Sequence, residues 1–460
     1  MRRMSGIDAG MFFAENETTP LQIASVSVFE GPAPSYGEVV RAVVSRFARV
    51  PRYRQRVRRV PLDLGRPVWI DDPHFQVLYH VRHTAVPSPG GADELRNLAG
   101  RVLGQRLDLS RPLWEMWIVE GLAAGRWAII SKVHHCMVDG VGGSDLMTGL
   151  FDLTPDAPAV PRTAQPEPEP TPSRASLVVA GVSDTMVEQL RRLVSLPSLM
   201  LHTAGAGDGR LLGGLPAYAR RLLTGRGASS LNGRTSPHRR WSWTQADLGE
   251  ARRTGEILGG TVNDVVLASV ARGFRDLLDA RGVLDEDTVV RTMVPVSVRT
   301  PDEQGALTNR VSAVLVALPC GEPDPVRCFR LVRDQTAALK DSHQAAGPDA
   351  LVKVLGMAPN VLAVAASVAL RMRQPLIHTI TTNVPGPDFP LYVLGRRLTA
   401  IYPYVPLAAG IRVSTGVISY RDDLYFGITG DFDAMPDLDV LSHGITRGLD
   451  ELAKAAETRR

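Results

Sequence analysis

The sequence contains few cysteines and few lysines. Its 460 residues include three cysteines and 52 basic residues, of which four are lysines. Three cysteines do not make a disulfide framework, so they indicate a reducing compartment. The formal net charge is only +4, and no basic block is interleaved with aromatic residues. Both observations argue against a nucleic-acid-binding protein.

Apolar runs of membrane length are also missing. A membrane-spanning helix needs about 20 consecutive apolar residues. The nearest candidate, Val354 to Leu370, is interrupted by Pro359 and Asn360, so a buried helix is the favoured interpretation and a lipid-facing helix the alternative. No apolar segment follows Arg2 and Arg3, so no signal peptide is predicted and we expect a cytoplasmic protein.

Several common catalytic motifs do not occur. The chain has no G-x-S-x-G nucleophile elbow, no pair of histidines four apart on a predicted helix, and no paired cysteines of the kind that bind zinc. These absences argue against a serine hydrolase and against a metal site. We therefore predict no metal and no bound cofactor.

One stretch combines two histidines with an aspartate and a glycine at fixed spacing: His134, His135, Asp139 and Gly140. Apolar patterning before it predicts a strand pair joined by a short turn, so the histidines come at the end of the second strand. Side chains alternate across a strand, which places the two rings on opposite faces. This argues against a shared metal and leaves one histidine as the base.

The chemistry of these residue types favours proton transfer. An imidazole with a pKa near ~6.5 can take a proton from an alcohol and return it to a leaving group. Asp139 would orient the imidazole directly or hold the loop through an arginine, and Gly140 would let the backbone approach a bulky substrate. Patterning alone does not choose between His134 and His135.

The order of predicted strands and helices indicates an α/β (α+β) fold with mixed sheets, because strands and helices do not alternate strictly. We predict a first domain over residues 1–153, a proline-rich linker with connecting helices over 154–240, and a second domain over 241–460. Leucines and arginines between Gly209 and Gly227 fit either a solvated helix face or a membrane-surface helix. Asn263 and Asp264 follow Thr261 at the start of a predicted helix, where capping is the simplest role.

The histidine stretch resembles the H-H-x-x-x-D-G signature of the CoA-dependent acyltransferase superfamily. Other stretches over nearly the whole chain are similar to the bacterial wax ester synthase/diacylglycerol acyltransferase family. They are Asp8-Ala9 with Glu15, Arg111 to Glu115, Asn263-Asp264, Val294 to Arg299, Asn309 to Ser312, Thr382 to Pro387, and Ser419-Tyr420 with Phe426-Gly427.

The resemblance implies two chloramphenicol acetyltransferase-like domains with the active site in a tunnel at their interface. It implies that acyl-CoA is a substrate rather than a cofactor, that the acceptor is diacylglycerol or a long-chain alcohol, and that the protein associates peripherally with membrane or lipid droplets. The residues that it assigns are His135 as general base, His134 and Gly140 beside it, Asp139 as the orienting group, and Asn263 and Asp264 as groups that shape the site. Arg299 is added as a site-shaping residue on physical grounds.

Some assignments stay open. Arg299 is a hypothetical partner for Asp139, because a buried aspartate needs a cation or hydrogen-bond donors. Pro112, Leu113 and Trp114 either contact substrate or form a core-packing turn. The main alternatives for function are transfer to another acceptor, such as an amine or a carrier-bound intermediate, and a weakly active lipid-binding protein.

Overall fold

A computed structural model describes most of the chain, namely residues 2–47, 50–137, 149–157, 167–181, 183, 226–227, 229–297, 311–346 and 377–459. Of the predicted site residues, Asp139, Gly140 and Arg299 lie outside this part. The two segments for which membrane contact was considered, Gly209 to Gly227 and Val354 to Leu370, also lie outside this part, apart from Arg226 and Gly227.

The N-terminal half contains eleven labelled elements within the described residues. They are β1 (Arg2–Arg3), α1 (Gly6–Ala14), β2 (Gln22–Phe29), α2 (Tyr36–Phe47), β3 (Gln55–Arg58), β4 (Val68–Asp71), α3 (Val77–His80), β5 (Val81–Ala85), α4 (Ala92–Gly104), β6 (Trp114–Glu120) and β7 (Trp127–His134).

The described residues from 226 onward contain nine strands and four α-helices. They are β8 (Arg226–Gly227), β9 (Arg239–Asp247), α5 (Leu248–Leu258), α6 (Val262–Ala280), β10 (Thr288–Ser297), β11 (Val311–Leu318), α7 (Pro325–Ala346), β12 (Thr379–Val384), β13 (Tyr392–Val393), β14 (Arg396–Tyr404), β15 (Val413–Tyr420), β16 (Asp423–Asp431) and α8 (Leu438–Glu457).

The strands form three sheets. The first large sheet has the order β13-β14-β2-β7-β6-β5, and only its β5–β6 pair is parallel. The second has the order β11-β10-β12-β15-β16-β9, with β8 added beside β10; β12 pairs parallel with both neighbours. A small antiparallel sheet, β1-β4-β3, completes the N-terminal half. The mixed α/β class predicted from sequence is confirmed.

Strand β14 links the two large sheets. It comes late in the chain but pairs with β2, so that Tyr402 lies opposite Val26. Its end then crosses the second sheet, where a Cβ atom on Gly427 would lie 1.6 Å from the carbonyl oxygen of Pro403. Only glycine permits this approach. The two sheets therefore do not divide the chain at a single point, and the domain limits given above remain a prediction.

Each large sheet has its own apolar core. The first includes valines and leucines of α2 and α4, and the second is built on α6 and α8. Helix α6 approaches α8 closely, because a Cβ on Gly273 would lie 2.8 Å from the carbonyl oxygen of Leu441. Among the described helices, none is long and apolar enough to cross a bilayer.

Candidate active site

Strand β7 places the two histidines at the end of a completely buried strand. It lies between β2 and β6, with His134 opposite Gln22 and Val133 opposite Trp114. The His134 amide donates to Leu113 O at 2.9 Å, and this is the last backbone hydrogen bond on the side of the strand that faces β6. A single 3-10 turn, His135–Met137, follows at once. The strand therefore ends between the two rings and gives them different surroundings.

His134 is held on both ring nitrogens. Its Nδ1 accepts the Cys136 amide at 3.1 Å, so the proton of the neutral ring is on Nε2. That nitrogen lies 2.7 Å from Oε2 of Glu15, and the His134 side chain is 0% exposed. Because the His134 ring is not exposed and both of its nitrogens face protein groups, it cannot receive a proton from a substrate.

Glu15, directly after α1, is the buried partner of His134. Its other oxygen accepts the Nε–H of Arg106 at 2.8 Å. Burial acts to raise the pKa of the Glu15 carboxyl, but the hydrogen bonds and charges of His134 and Arg106 outweigh burial, and the pKa is lowered. Glu15 is therefore ionised at neutral pH and fixes His134 in one orientation.

The end of α4 positions Arg106 for this contact. The last carbonyl groups of a helix lack intrahelical partners. At the end of α4, buried side chains donate hydrogen bonds to these carbonyl groups. Nε2 of Gln22 donates to Leu103 O at 2.6 Å and to Gln105 O at 2.8 Å, while Nζ of Lys132 donates to Gln105 O at 2.7 Å. Burial, partly opposed by Glu115, lowers the pKa of Lys132 to about 8.

His135 differs from its neighbour in exposure. The residue is partly exposed, whereas its Nδ1 atom is buried, which leaves Nε2 as the candidate atom to meet a substrate. Burial of the ring lowers the pKa of His135; an interaction with its own backbone opposes the shift, and nearby His134 adds to it. The ring is therefore neutral at neutral pH, as a general base must be.

Cys136 is unsuited to act as a nucleophile. Its side chain is 1% exposed. Burial raises the pKa of the Cys136 thiol far above its usual value, and the charges of Asp8 and Glu15 add to the shift. The thiol stays protonated, and the thiolate is the reactive form.

Leu113 and Trp114 lie in the first core rather than beside an open space. Both are 0% exposed. The Trp114 ring stacks on His80 with centroids 4.6 Å apart, and its Nε1–H donates to Tyr53 O at 2.8 Å. Pro112 precedes them in the turn that enters β6. The sequence left two roles open for this segment, core packing and substrate binding. These contacts favour core packing.

Asp264 completes the predicted cap of α6, in which Thr261 is the N-cap residue. Its Oδ2 accepts from the amide and hydroxyl of Thr261 at 2.8 and 2.7 Å, and its Oδ1 accepts from the Thr336 hydroxyl at 2.6 Å. The adjacent Asn263 is only partly buried, and its Oδ1 lies 3.4 Å from Nδ2 of Asn383. Asp264 therefore has a structural role at the helix end, whereas Asn263 remains partly accessible.

The comparisons with known proteins identify the family. Residues 4–266 match the wax ester synthase/diacylglycerol acyltransferase catalytic domain, and residues 307–453 match the C-terminal domain of the same family. The chain belongs to this family. It is accordingly an acyltransferase, and the family membership predicted from the sequence motifs is confirmed.

Relatives and solved structures agree with this assignment. A Mycobacterium tuberculosis protein named as a probable diacylglycerol O-acyltransferase is 34% identical over 100% of this chain and 97% of its own. The wax ester synthase/diacylglycerol acyltransferase from Marinobacter aquaeolei shares the fold, with a TM-score of 0.71 and 23% identity over 99% of this chain and 100% of that one. The first condensation domain of the calcium-dependent antibiotic synthetase matches with a TM-score of 0.57, 16% identity and coverage of 99% and 96%.

Stretches that carried the family resemblance contact one another in the fold. Asn263 meets Asn383, and the Gly386 amide donates to the Ser419 hydroxyl at 3.0 Å. The contact that sequence reasoning missed is the one between Glu15 and His134. Glu15 was singled out only as part of a family stretch, and nothing local in the sequence pairs it with a histidine 119 positions later. Within the described residues, no three His, Cys, Asp or Glu side chains converge as metal ligands would.

Proposed function

We propose that this acyltransferase moves a long-chain acyl group from acyl-CoA to the hydroxyl of diacylglycerol or of a long-chain alcohol, with His135 as general base. The observation that supports this most directly is the contrast between the two rings. His135 is neutral and partly exposed, whereas His134 is completely buried between Glu15 and Cys136.

In this mechanism Nε2 of His135 takes the proton of the acceptor hydroxyl as the oxygen attacks the thioester carbonyl. The tetrahedral intermediate then collapses, the carbon–sulfur bond breaks, and CoA leaves as a thiol with the proton returned by the imidazolium. The products are an ester and free CoA, so the enzyme ends in its starting protonation state. No covalent acyl-enzyme is required.

The remaining predicted residues have supporting roles in this proposal. His134, held by Glu15, fixes the backbone at the strand end and with it the direction of the His135 ring. Asp139 orients the site, with Arg299 as its hypothetical partner, and Gly140 lets substrate approach the main chain. Asn263 polarises or shapes the site from the start of helix α6. Because the proposed acceptors are lipids, we also place the protein at the surface of membranes or lipid droplets.

A matched pair of variants separates the roles of Asn263 and Asp264. Asp264→Ala removes a capping carboxylate and its bond to Thr336, so we expect the free energy of unfolding to fall by about 2 kcal/mol. Asn263→Ala should change it by less than about 0.5 kcal/mol, while lowering kcat by about ten-fold. Urea unfolding and steady-state kinetics measure both quantities. If Asn263→Ala leaves kcat unchanged, its assigned role in the site is wrong.

The proposed activity is tested by release of CoA thiol from palmitoyl-CoA, with diacylglycerol or hexadecanol as acceptor. We expect release that depends on acceptor, and the better acceptor identifies the preferred product class. Release with an amine or a carrier-bound acceptor, but with neither alcohol, would replace the proposal with a different acyl transfer. Absence of release with every acceptor, from folded protein, would favour the lipid-binding alternative.

A further inference from the structure

A cavity of about 780 Å³ opens between the small sheet and the end of α1. Five arginines line it, namely Arg56, Arg58, Arg59, Arg106 and Arg174, while Glu15 is the acidic residue among the described lining. Its walls also include apolar side chains, among them Phe12, Val57 and Leu177. The cavity therefore combines an excess of positive charge with an apolar lining.

Two of these arginines project from the same strand. Arg56 and Arg58 are two positions apart on β3, so their side chains lie on one face of the strand. They stand opposite Ile70 and Val68, which form a small apolar cluster with Leu177. The aliphatic parts of the Arg56 and Arg58 side chains therefore lie along an apolar surface, which leaves their guanidinium groups to meet a ligand.

Acidic groups in the described part of the chain pair with only two of these five arginines. Arg106 binds Glu15, and Arg59 binds Asp63 at 2.5 Å. Arg56, Arg58 and Arg174 have no acidic partner among the described residues, and the Nε of Arg56 is buried without a hydrogen-bond acceptor there. A buried donor without a partner is costly, and a phosphate oxygen would satisfy it with a charge-assisted bond.

Exposed apolar side chains occur on two segments that contribute residues to the cavity lining. Leu62 follows the lining residue Pro61 and is 90% exposed, in a left-handed backbone conformation with φ of 57°, which is unfavourable for leucine. Leu64 is 41% exposed, and Val179, two residues beyond Leu177, is 68% exposed. Apolar tips of this kind, flanked by arginines, are typical of surfaces that enter a lipid interface.

The two segments that carry these tips are packed together. A Cβ on Gly65 would lie 2.8 Å from the Cα of Gly181, so the loop over residues 60–65 rests on helical residues 174–181. The loop with Leu62 and Leu64, the helix with Arg174 and Val179, and strand β3 with Arg56 and Arg58 therefore adjoin one another. We call these six residues together the Arg–Leu surface.

We propose that the Arg–Leu surface docks the protein on an anionic phospholipid surface, with a lipid phosphate held by the cavity arginines and Leu62, Leu64 and Val179 inserted among the acyl chains. The cavity also reaches Phe12 and Glu15, and the Phe12 ring lies 6.1 Å from the His134 ring. In placing a lipid acceptor near the end of β7, where the catalytic His135 follows His134, we rely on the proposed function; the docking itself does not need it.

Co-sedimentation of the full chain with vesicles tests the docking without any turnover. We expect binding to phosphatidylcholine vesicles that contain phosphatidylglycerol and much weaker binding to pure phosphatidylcholine. The double variant Arg56→Gln/Arg58→Gln should lose about 25-fold in affinity for the anionic vesicles, which is about five-fold, or about 1 kcal/mol, for each arginine. Leu62→Ser should lose about ten-fold, and this loss should persist at high salt, where the arginine contribution is screened.

Matched controls carry the same chemical changes at other places. Arg252→Gln/Arg253→Gln removes two neighbouring exposed arginines from α5, and Leu153→Ser removes another leucine that is 67% exposed. Both should bind vesicles like the wild type. Equal losses in the controls, or unchanged binding by the cavity variants, would overturn the proposed docking surface.

Soluble ligands distinguish the source of the phosphate. If free CoA or inorganic phosphate displaces the protein from vesicles at low concentration, and Leu62→Ser has no effect, the cavity is a site for soluble phosphates and the docking proposal is wrong. If neither displaces it and both variants weaken binding, the lipid head group is the ligand. Loss of acyl transfer with vesicle binding intact would count against the proposed function alone.

Discussion

Replacing His135 with alanine or glutamine is expected to lower kcat/KM for acyl transfer by about 10³-fold, within the roughly 10²–10⁴-fold range of general acid–base catalysis. Glutamine is the sharper test, because it keeps a polar side chain of similar length but does not accept a proton at neutral pH. His135 is partly exposed at the end of β7, so the free energy of unfolding should change by less than about 1 kcal/mol. Thiol release and urea unfolding measure the two effects.

The control for His135 is His83, an exposed histidine on β5 whose Nε2 lies 3.1 Å from Glu120. His83→Ala should leave both kcat/KM and stability near the wild-type values, since exposed ion pairs contribute little. A His135→Gln enzyme that retains more than about a tenth of the wild-type rate would show that the proton goes to another group.

The pH profile gives the same prediction a second readout. The base acts in its neutral form, and burial lowers the pKa of His135 from its ordinary value of 6.5. The neutral form therefore persists to lower pH than for an exposed histidine. We expect kcat/KM to stay constant through neutral pH and to fall only below the ordinary imidazole range. An acidic limb centred above ~7 would contradict the assignment.

Local patterns in the sequence predicted individual elements accurately. Apolar periodicity and turn residues predict helices over Tyr36 to Phe47 and Leu248 to Leu258 and strands over Val311 to Leu318 and Thr379 to Val384. The structure has these four elements with the same limits, because both signals are local. The sequence after the glycines of the histidine stretch also predicts a helix from Asp145 to Leu153. That prediction is wrong over residues 149–153, the part that the structure describes, where Asp152 instead forms a bridge with Tyr392. There a tertiary contact outweighed the local preference.

Contacts between distant parts of the chain were beyond local patterns. Strand β14 was not predicted, and its partner β2 lies more than 350 positions away, with Leu398 opposite Phe29. Similarly, alternation along β7 predicted that the two rings would face different surroundings, but it did not show which one would be buried. The family resemblance pointed to His135. Burial of His134 against Glu15 now supplies a physical reason for the same choice.

Glu15→Ala is expected to destabilise the protein by about 3 kcal/mol and to lower kcat by about 10²-fold. Removing the carboxylate leaves the buried Nε2–H of His134 without its acceptor, and unpartnered buried donors are costly. The loss of the Arg106 contact contributes less to this destabilisation, because the Arg106 side chain is 34% exposed and can reach water. A small displacement of the strand end would misplace His135, and such displacements can cost about 10²-fold in rate.

An exposed pair of the same residue types provides the control. Glu120→Ala removes a carboxylate that is 42% exposed beside His83, so it should cost less than about 0.5 kcal/mol and leave kcat unchanged. Glu15→Gln tests geometry separately from charge, since its amide oxygen can still accept from His134. If Glu15→Gln restores most of kcat but not the stability, Glu15 positions His134 chiefly through the hydrogen bond.

The stability effect should also depend on pH in a defined direction. The folded-state pKa of Glu15 is lowered below its ordinary value of 4.5, so the unfolded chain binds the proton more readily. The stabilisation by Glu15 is then fully present above the ordinary pKa and is lost as the pH falls through the folded-state value. The difference in unfolding free energy between wild type and Glu15→Gln should therefore be constant near neutral pH and shrink below pH ~4.5. A difference that grows on acidification would mean that Glu15 is protonated in the folded protein and that the His134–Glu15–Arg106 contacts do not hold a charge.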